Sequence, residues 1–447
     1  MLRTFIRGDL DLDFTDLFCG AGGSSTGLVE AGYILKLAAN HDPVSIRTHM
    51  ANHPMAEHLC VDLNSYAKRR LPRTRALWGS PICTEIAPCG GRKRTYGQLA
   101  LDIDGEGAAP RTFERTRATA HDIISAVEVH RYDVVICENV IEFGTDWELF
   151  DWWLKGMAIL GYNYQIVCAS SAHLGGGDNL LAPQLRDRLY IVFTRKGIPL
   201  PDLTVRPEAV CPECGPVLAN QVWDVPGPRN IGKWAGANAK DPRSAPPRHR
   251  TADPRERRYT FRCPNRSCGH LVLIPTTRPV EEIIDWDLQG TRVGDGRPDR
   301  KTFTPYADST KARIAQGLAM FGGNPHIAML RRNGTPVPLT QPVPVLNAKG
   351  RHHALIIPNG RKGAPRTTTE PLTTVATKQH HALVRMAQEV DNCTLRMLST
   401  GELKQAQRLP VDYILHGTQA EQILQVGNAV SVNAARWIGE RVRAVLN

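Results

Sequence analysis

The sequence predicts an α/β protein: a doubly wound, Rossmann-like domain interrupted by an irregular second domain. Three observations carry that expectation. Residues 14–195 alternate short apolar runs with amphipathic stretches, the pattern of β-α units. A glycine-rich turn, CGAGG, follows the first apolar run and opens an amphipathic stretch. From about residue 198 proline, glycine and arginine become dense and periodicity weakens, until helical patterning returns near the end.

The elements follow in order. DFTDLF reads as a strand and CGAGGSSTGLVEAG as a glycine turn opening a helix; ILKLAAN is a second strand and DPVSIRTHMANH a second helix. RALWGS, YDVVICEN, NYQIVCASS and DRLYIVFTR are four further buried strands. STGELKQAQRLP and NAVSVNAARWIGERVRAVL read as helices that return to the first domain. The expected organisation is therefore residues 1–197, an insertion over 198–392, and a C-terminal return over 393–447. Doubly wound sheets place ligands beyond the carboxyl ends of their strands. The segments CGAGG, SPIC, ENV and the loop before QLRDR fall at those ends.

Composition narrows the class. A chain of 447 residues, 42% hydrophobic and 22% charged, suits a soluble globular protein of two or three domains. No apolar run approaches the ~18 residues of a membrane span, and MLRTFIRGDLDLDF lacks a signal-peptide core. A cytoplasmic protein, monomeric and without membrane contact, is the expectation. Eleven cysteines, an odd number, read as buried thiols, metal ligands or a nucleophile in a reducing compartment. The net charge of +11 favours a polyanionic partner.

Several residues are candidates for chemistry. Gly20, Gly22 and Gly23 permit positive φ and close approach of a ligand to the backbone, and the helix that follows offers unpaired N–H groups. The spacing is neither a dinucleotide fingerprint nor a Walker loop, so a purely structural turn is the alternative. Asn40, His41 and Asp62 stand where they could bond ribose hydroxyls and an adenine amine; helix capping is the alternative, above all for Asp42 before Pro43. GSPICTEIAPCGG holds Cys83 and Cys89, six positions apart: a nucleophile, buried packing or a metal pair.

CPEC (Cys211, Cys214) and CPNRSC (Cys263, Cys268) form two close pairs, each followed by glycine, as a structural four-cysteine zinc ribbon requires. The segment between them is rich in Arg and Lys, with Trp234, Tyr259 and Phe261 interleaved; it suits a loop on phosphates or a solvated one. An internal echo relates QPVPVLNAKGRHHALIIP to EPLTTVATKQHHALV. It reads as two hairpins presenting Lys349, His352 and His353, then Lys378, His380 and His381, either as polar tips or against DNA.

Taken in order, these motifs resemble those of the DNA cytosine-5 methyltransferases of bacterial and bacteriophage type. DLFCGAGG is similar to that family's cofactor motif, SPIC to its nucleophile loop, ENV to its acid motif, QLRDRLY to its Gln-x-Arg-x-Arg motif and QVGNAV to its late motif. LRMLSTGELKQAQRLPVDY resembles the segment that precedes the last motif. The resemblance covers about residues 14–195 and 394–447 and assigns the stretch between to a target-recognition domain.

The resemblance implies S-adenosylmethionine as methyl donor, S-adenosylhomocysteine as product and cytosine in double-stranded DNA as substrate. It implies that Cys83 adds to C6 of a flipped cytosine, that Glu138 contacts N3, and that Arg188 pairs with Glu138 or the base. Arg186 would meet the phosphate or the adduct, sharing a strand face with Arg188 at i and i+2. Gln184 would fill the space left by the flipped base. Cofactor contacts are implied for Asp16, Phe18, Cys19, Gly20, Ala21, Gly22, Gly23, Asn40, His41, Asp62, Leu63, Pro81, Asn428, Ala429 and Val430. Two departures stand out: Pro81-Ile82-Cys83-Thr84 replaces the usual Pro-Pro-Cys-Gln, and Asn40 stands where the family commonly has glutamate. Other readings are an inactive DNA-binding relative, an RNA substrate, or a different transferred group.

Overall fold

The computed structural model describes residues 12–82, 114–224, 229–236, 257–321, 323–330, 334–346, 352–357 and 389–446. They divide into two compact units, the first Met1–Arg278, Pro344–Gly350 and Leu403–Asn447, the second Pro279–Val343 and Arg351–Glu402.

The first unit is built on a seven-stranded sheet. Its elements are β1 (Asp13–Leu17), α1 (Gly23–Glu30), β2 (Ile34–Asn40), α2 (Pro43–Asn52), β3 (Glu57–Cys60), β4 (Ala76–Gly79) and α3 (Glu114–His130). β5 (Val134–Asn139), α4 (Glu142–Thr145), α5 (Phe150–Ile159), β6 (Tyr162–Ser170), the two-residue β7 (Gln184–Leu185) and β8 (Asp187–Arg195) follow. The strand order is β3-β2-β1-β4-β5-β8-β6. The first five strands run parallel, and β8 is antiparallel to both β5 and β6. The expected strands are all present. The sheet is mixed rather than wholly parallel, and the edge strand β3, EHLC, escaped the sequence because four mostly polar residues show no alternation.

Burial on both faces explains the apolar run of β5. Val134 and Ile136 enter one core with Phe14, Trp78, Val192 and the C-terminal helix, whereas Val135 and Cys137 enter the other with Ile123, Trp153 and Phe193. The C-terminal helices are α8 (Gln419–Asn428), opened by a Thr418–Glu421 capping box, and α9 (Val432–Leu446). The single helix expected from residue 428 onward is thus broken at 429–431. α9 packs on α1, where Tyr33 donates to the Gly439 carbonyl (3.1 Å) and Arg443 to that of Ala31 (3.2 Å).

Residues 198–278 fall in the first unit, whose boundary with the second lies at 278/279. Two hairpins, β9 (Glu208–Cys211) with β10 (Gly215–Leu218) and β13 (Arg257–Arg262) with β14 (Val272–Leu273), lie with β11 (Asn220–Trp223) and β12 (Gly232–Trp234). Their apolar side chains join the core of the sheet: Ala209, Tyr259 and Phe261 share one cluster with Tyr190 and Val192. Composition reported the irregular backbone but not this shared burial.

The second unit has its own five-stranded antiparallel sheet, in the order Thr291–Arg292, Thr394–Met397, His353–Ile357, His326–Met329, Val337–Pro338. Helix α6 (Asp308–Phe321) contributes Ile314 to a small core of Val293, Ala328, Ala354, Ile356, Cys393 and Leu395. Here the expectation of exposed hairpin tips is corrected: His353 is buried in the central strand, paired with Met329. Lys349, Lys378, His380 and His381 lie outside the described residues. The buried carboxylate of Glu402 organises this unit, accepting Arg396 on both oxygens (2.6 and 2.8 Å) and the N–H groups of Asp285 (2.9 Å) and Ser399 (2.6 Å).

No described helix is long and apolar enough to cross a membrane.

Candidate active site

The first cluster of predicted residues surrounds the turn after β1. Phe18, a non-glycine residue at φ +62°, turns left-handed where β1 ends, and Gly20 and Gly22 follow at +52° and +90°. Such a conformation is unfavourable for an aromatic residue and marks a turn held by its surroundings. Gly22 is needed twice over: its φ is positive, and a Cβ there would lie 2.5 Å from the Tyr413 hydroxyl. That hydroxyl donates to the Ala21 carbonyl (2.5 Å), so the late segment of the chain fixes the early turn. α1 then begins with no side-chain cap, leaving its first N–H groups to a ligand or solvent.

Asp16 stands in β1, just before that turn. It is fully buried, and its Oδ2 accepts the hydroxyls of Ser24 (2.7 Å) and Ser25 (2.6 Å), tying β1 to the first turn of α1. Its Oδ1 has no hydrogen-bond partner among the described residues, and burial pushes its pKa up to about 7. Ser25 continues into a histidine cluster that the sequence reading passed over. His49 Nε2 is 3.0 Å from Ser25 Oγ, His49 Nδ1 is 2.9 Å from His58 Nε2, and His53 Nε2 is 3.1 Å from Thr26 Oγ1. Burial holds His49 well below the ordinary histidine range and His53 at about 4. The signal was legible: His49, in the last turn of α2, and His53, its C-cap, stand at i and i+4.

The other predicted cofactor residues lie at neighbouring strand ends. Asn40 closes β2, and its Oδ1 accepts the Asp42 N–H (3.0 Å). Asp42 caps α2 by accepting from Ser45 N (2.9 Å), as its place before Pro43 predicted. Asp62 is exposed beyond β3 and accepts the Asn64 N–H (3.0 Å); His41 is exposed and Leu63 buried. Cys19 is buried in the turn, with its N–H on the Ala39 carbonyl (3.2 Å). Asn428 is exposed at the end of α8, while Ala429 and Val430 are buried against the turn; a Cβ on Gly23 would lie 2.0 Å from the Val430 carbonyl oxygen.

The second cluster stands at the ends of β4, β5 and β8. Glu138 is 8% exposed and pairs with Arg188, 14% exposed, at 3.0 Å. The pair joins adjacent strands, and Arg188 Nη1 also donates to the Asp187 carbonyl (2.8 Å). Asn139 shapes the turn after β5, donating to the Pro81 carbonyl (2.9 Å). Ile82 is held on α3, its N–H on Thr119 Oγ1 (3.1 Å) and its carbonyl accepting Thr116 (3.1 Å). Cys83 and Cys89 lie outside the described residues.

Arg186 meets the late motif. It sits between β7 and β8, and its Nη2 donates to the carbonyls of Gly427 (3.2 Å) and Ala429 (2.9 Å). The strand is interrupted at this residue; Arg186 clasps the late motif and Arg188 the acid. Gln184 is fully buried, with no partner for its amide among the described residues.

The four cysteines converge. One sulfur each from Cys211, Cys214, Cys263 and Cys268 lies within 4.8 Å of the others, close to the ~3.8 Å separation of thiolates at tetrahedral zinc with ~2.3 Å Zn–S bonds. Cys211, Cys263 and Cys268 are buried and Cys214 half-buried. Gly215 and Gly269 follow the pairs at φ +74° and +65°.

The profile of the C-5 cytosine-specific DNA methylases matches residues 12–444. The type II methyltransferase M.XorII of Xanthomonas oryzae pv. oryzae is 27% identical over 200 residues, which cover 42% of this chain and 41% of that protein. The matched region thus spans about two fifths of that relative's length. Two solved structures share the fold at low identity. A mutant of Spodoptera frugiperda DNMT2 aligns over 97% of this chain and 99% of its own, with 14% identity and a TM-score of 0.51. The Dnmt2 methyltransferase of S. pombe aligns over 98% and 100%, with 12% identity and a TM-score of 0.51.

Proposed function

The chain belongs to the C-5 cytosine-specific DNA methylase family, and on that premise we propose that it transfers a methyl group from S-adenosylmethionine to C5 of cytosine in duplex DNA. The observation that carries this reading is the Glu138–Arg188 pair, held at the ends of adjacent strands beside the anchored Pro81–Ile82 segment. S-adenosylmethionine, when bound, supplies an electrophilic methyl group. The uncapped start of α1 and the strand-end groups Asn40 and Asp62 suit a molecule with ribose and adenine to bond.

The chain's own residues do the remaining work. The target base must leave the stack, because a thiol cannot reach C6 inside a duplex. Cys83 then adds as thiolate to C6, and the electron pair of the C5–C6 double bond makes C5 nucleophilic. Glu138 holds the proton at N3 that stabilises this adduct. Arg188 fixes the Glu138 carboxyl on one side, so the acid meets the base in one orientation. Loss of the C5 proton and expulsion of the Cys83 thiolate restore the aromatic ring. Arg186 holds the late motif against the site through Gly427 and Ala429.

The cysteine cluster completes the reading as a structural zinc site. Four thiolates fill a tetrahedral ion and leave no open position for catalysis. Metal analysis of freshly purified protein should give one zinc per chain, and its absence removes this assignment.

The test of the activity is mass spectrometry of nucleosides from duplex DNA incubated with the protein and S-adenosylmethionine. 5-Methylcytosine should form, and Cys83→Ser should abolish it while Cys89→Ser leaves most of it. No modified base with the wild-type chain, or equal loss in both variants, overturns the reaction or its nucleophile.

A further inference from the structure

The cysteine-bearing segment touches the reaction centre at two points, and neither contact is needed to hold a metal. The first is Asp187, the residue between the two arginines. Its Oδ1 accepts the Tyr259 hydroxyl (3.2 Å) and the Trp234 N–H (3.3 Å), both from strands of the segment 198–278. Its backbone carbonyl accepts Arg188 Nη1 (2.8 Å), the same guanidinium that pairs with Glu138. The peptide that holds Arg188 is therefore held, in turn, by Tyr259 and Trp234. The second point is Glu142, four residues after Glu138, which accepts Lys233 Nζ (2.7 Å).

The strands making these contacts are fixed by their neighbours. Gly232 lets β12 lie against β13 so closely that a Cβ there would be 1.8 Å from the Arg257 carbonyl oxygen. Tyr259 is fully buried, and Trp234 and Phe261 both pack edge-on against buried His173, at 4.7 and 5.1 Å between ring centres. β13 runs directly into Cys263, and the hairpin it forms with β14 is bridged to the other cysteine hairpin through Ala209–Pro275. The cysteines thus lock the far end of the same strand whose near end meets Asp187.

We propose that Tyr259 and Trp234 are positioning residues: through Asp187 they set the orientation of Arg188 on Glu138, so the cysteine ribbon braces the reaction centre. This rests on the reading of Glu138 and Arg188 as catalytic. Lys233 on Glu142 is the second limb of the brace, steadying the turn that follows the acid. The ribbon then contributes to the chemical step.

Tyr259→Phe keeps the buried ring and removes only the hydroxyl. It should lower kcat 5- to 20-fold, change KM for DNA and for S-adenosylmethionine less than 2-fold, and alter the pH profile of kcat, because the partner of the acid has been loosened. Asp187→Asn, which keeps an acceptor, should retain more activity than Asp187→Ala. Tyr162→Phe is the control: it loses a comparable buried hydroxyl bond, to the Tyr132 carbonyl (2.6 Å), at the opposite end of the same sheet. It should leave kcat and its pH profile unchanged.

A second measurement needs no turnover. Hydrogen exchange of the full chain, wild type against Tyr259→Phe, should rise at least 5-fold in peptides covering 184–190 and 138–145 and stay level in 279–343. Normal kcat in Tyr259→Phe, or faster exchange confined to 205–275, overturns the brace. An inactive wild type that still shows the predicted exchange would overturn the methyltransferase reading and leave the mechanical coupling standing.

Discussion

Residues 198–278 and 279–402 share a texture of proline, arginine and very short strands, yet they hold their shape by different means. The first stretch has little core of its own. It borrows burial from the central sheet through Tyr259, Phe261 and Ala209 and gathers four cysteines at its tip. The second has a five-stranded sheet, a small apolar cluster and a buried carboxylate that collects four hydrogen bonds. Short strands need a lock, and the chain uses a ligand set in one place and an ion pair in the other.

Three experiments would break or sharpen that comparison. Removing the proposed zinc, by chelation or by Cys263→Ser, should have the largest effect, because roughly 10 kcal/mol of binding free energy accompanies a structural zinc site. Calorimetry should show the melting transition of the first unit fall steeply while that of the second stays in place; equal loss in both would end the distinction. Glu402→Gln comes next. Arg396 and Glu402 are 9% and 1% exposed, and breaking a buried pair by removing one partner costs about 3–5 kcal/mol. Denaturant titration should place that loss in the second unit alone.

The smallest effect is protonic. His49, His53 and His58 are held neutral by burial, with His53 at about 4. Between about pH 6.5 and 4 the unfolded chain takes up protons that the folded chain refuses, so stability falls as pH drops through that window. Asp16 works in the opposite sense: held near 7, it keeps a proton that the unfolded chain releases above about pH 4, so its contribution falls as pH rises. His53→Gln should flatten the acid limb of the first unit by on the order of 1–2 kcal/mol, read from urea midpoints at pH 6.5 and 4.5. An unchanged slope would show that His53 does not carry it.

Much of the catalytic fold was legible because its signals are local. A run such as DVVICEN is buried on both faces, and a proline after aspartate caps a helix; neither needs knowledge of the rest of the chain. The convergence of four cysteines was also readable, since ligand spacing is a property of short turns. What escaped depended on distant partners. Composition could not show that the segment 198–278 docks on the sheet, because that turns on Tyr259 meeting Asp187, 72 positions away. Alternation along QLRDR likewise said nothing of Arg186 meeting Gly427, 241 positions away. The hold of Ser24 and Ser25 on Asp16, one turn later, was not readable from the glycine turn between them.

One feature of the connectivity also sets a timetable. Arg186 donates to Gly427 and Ala429, the Tyr413 hydroxyl closes on Ala21, and Asn433 donates to the carbonyls of Ser171 and Leu174 (2.8 and 2.6 Å). While the ribosome is still short of residue 413, the early sheet has none of these late partners, and the set is complete only at residue 433. At ~5–20 residues per second that gap lasts tens of seconds. The first half of the chain must wait, half-assembled, for the last few turns of helix. A nascent or truncated product would carry Glu138 and Arg188 and still lack the late motif that Arg186 holds.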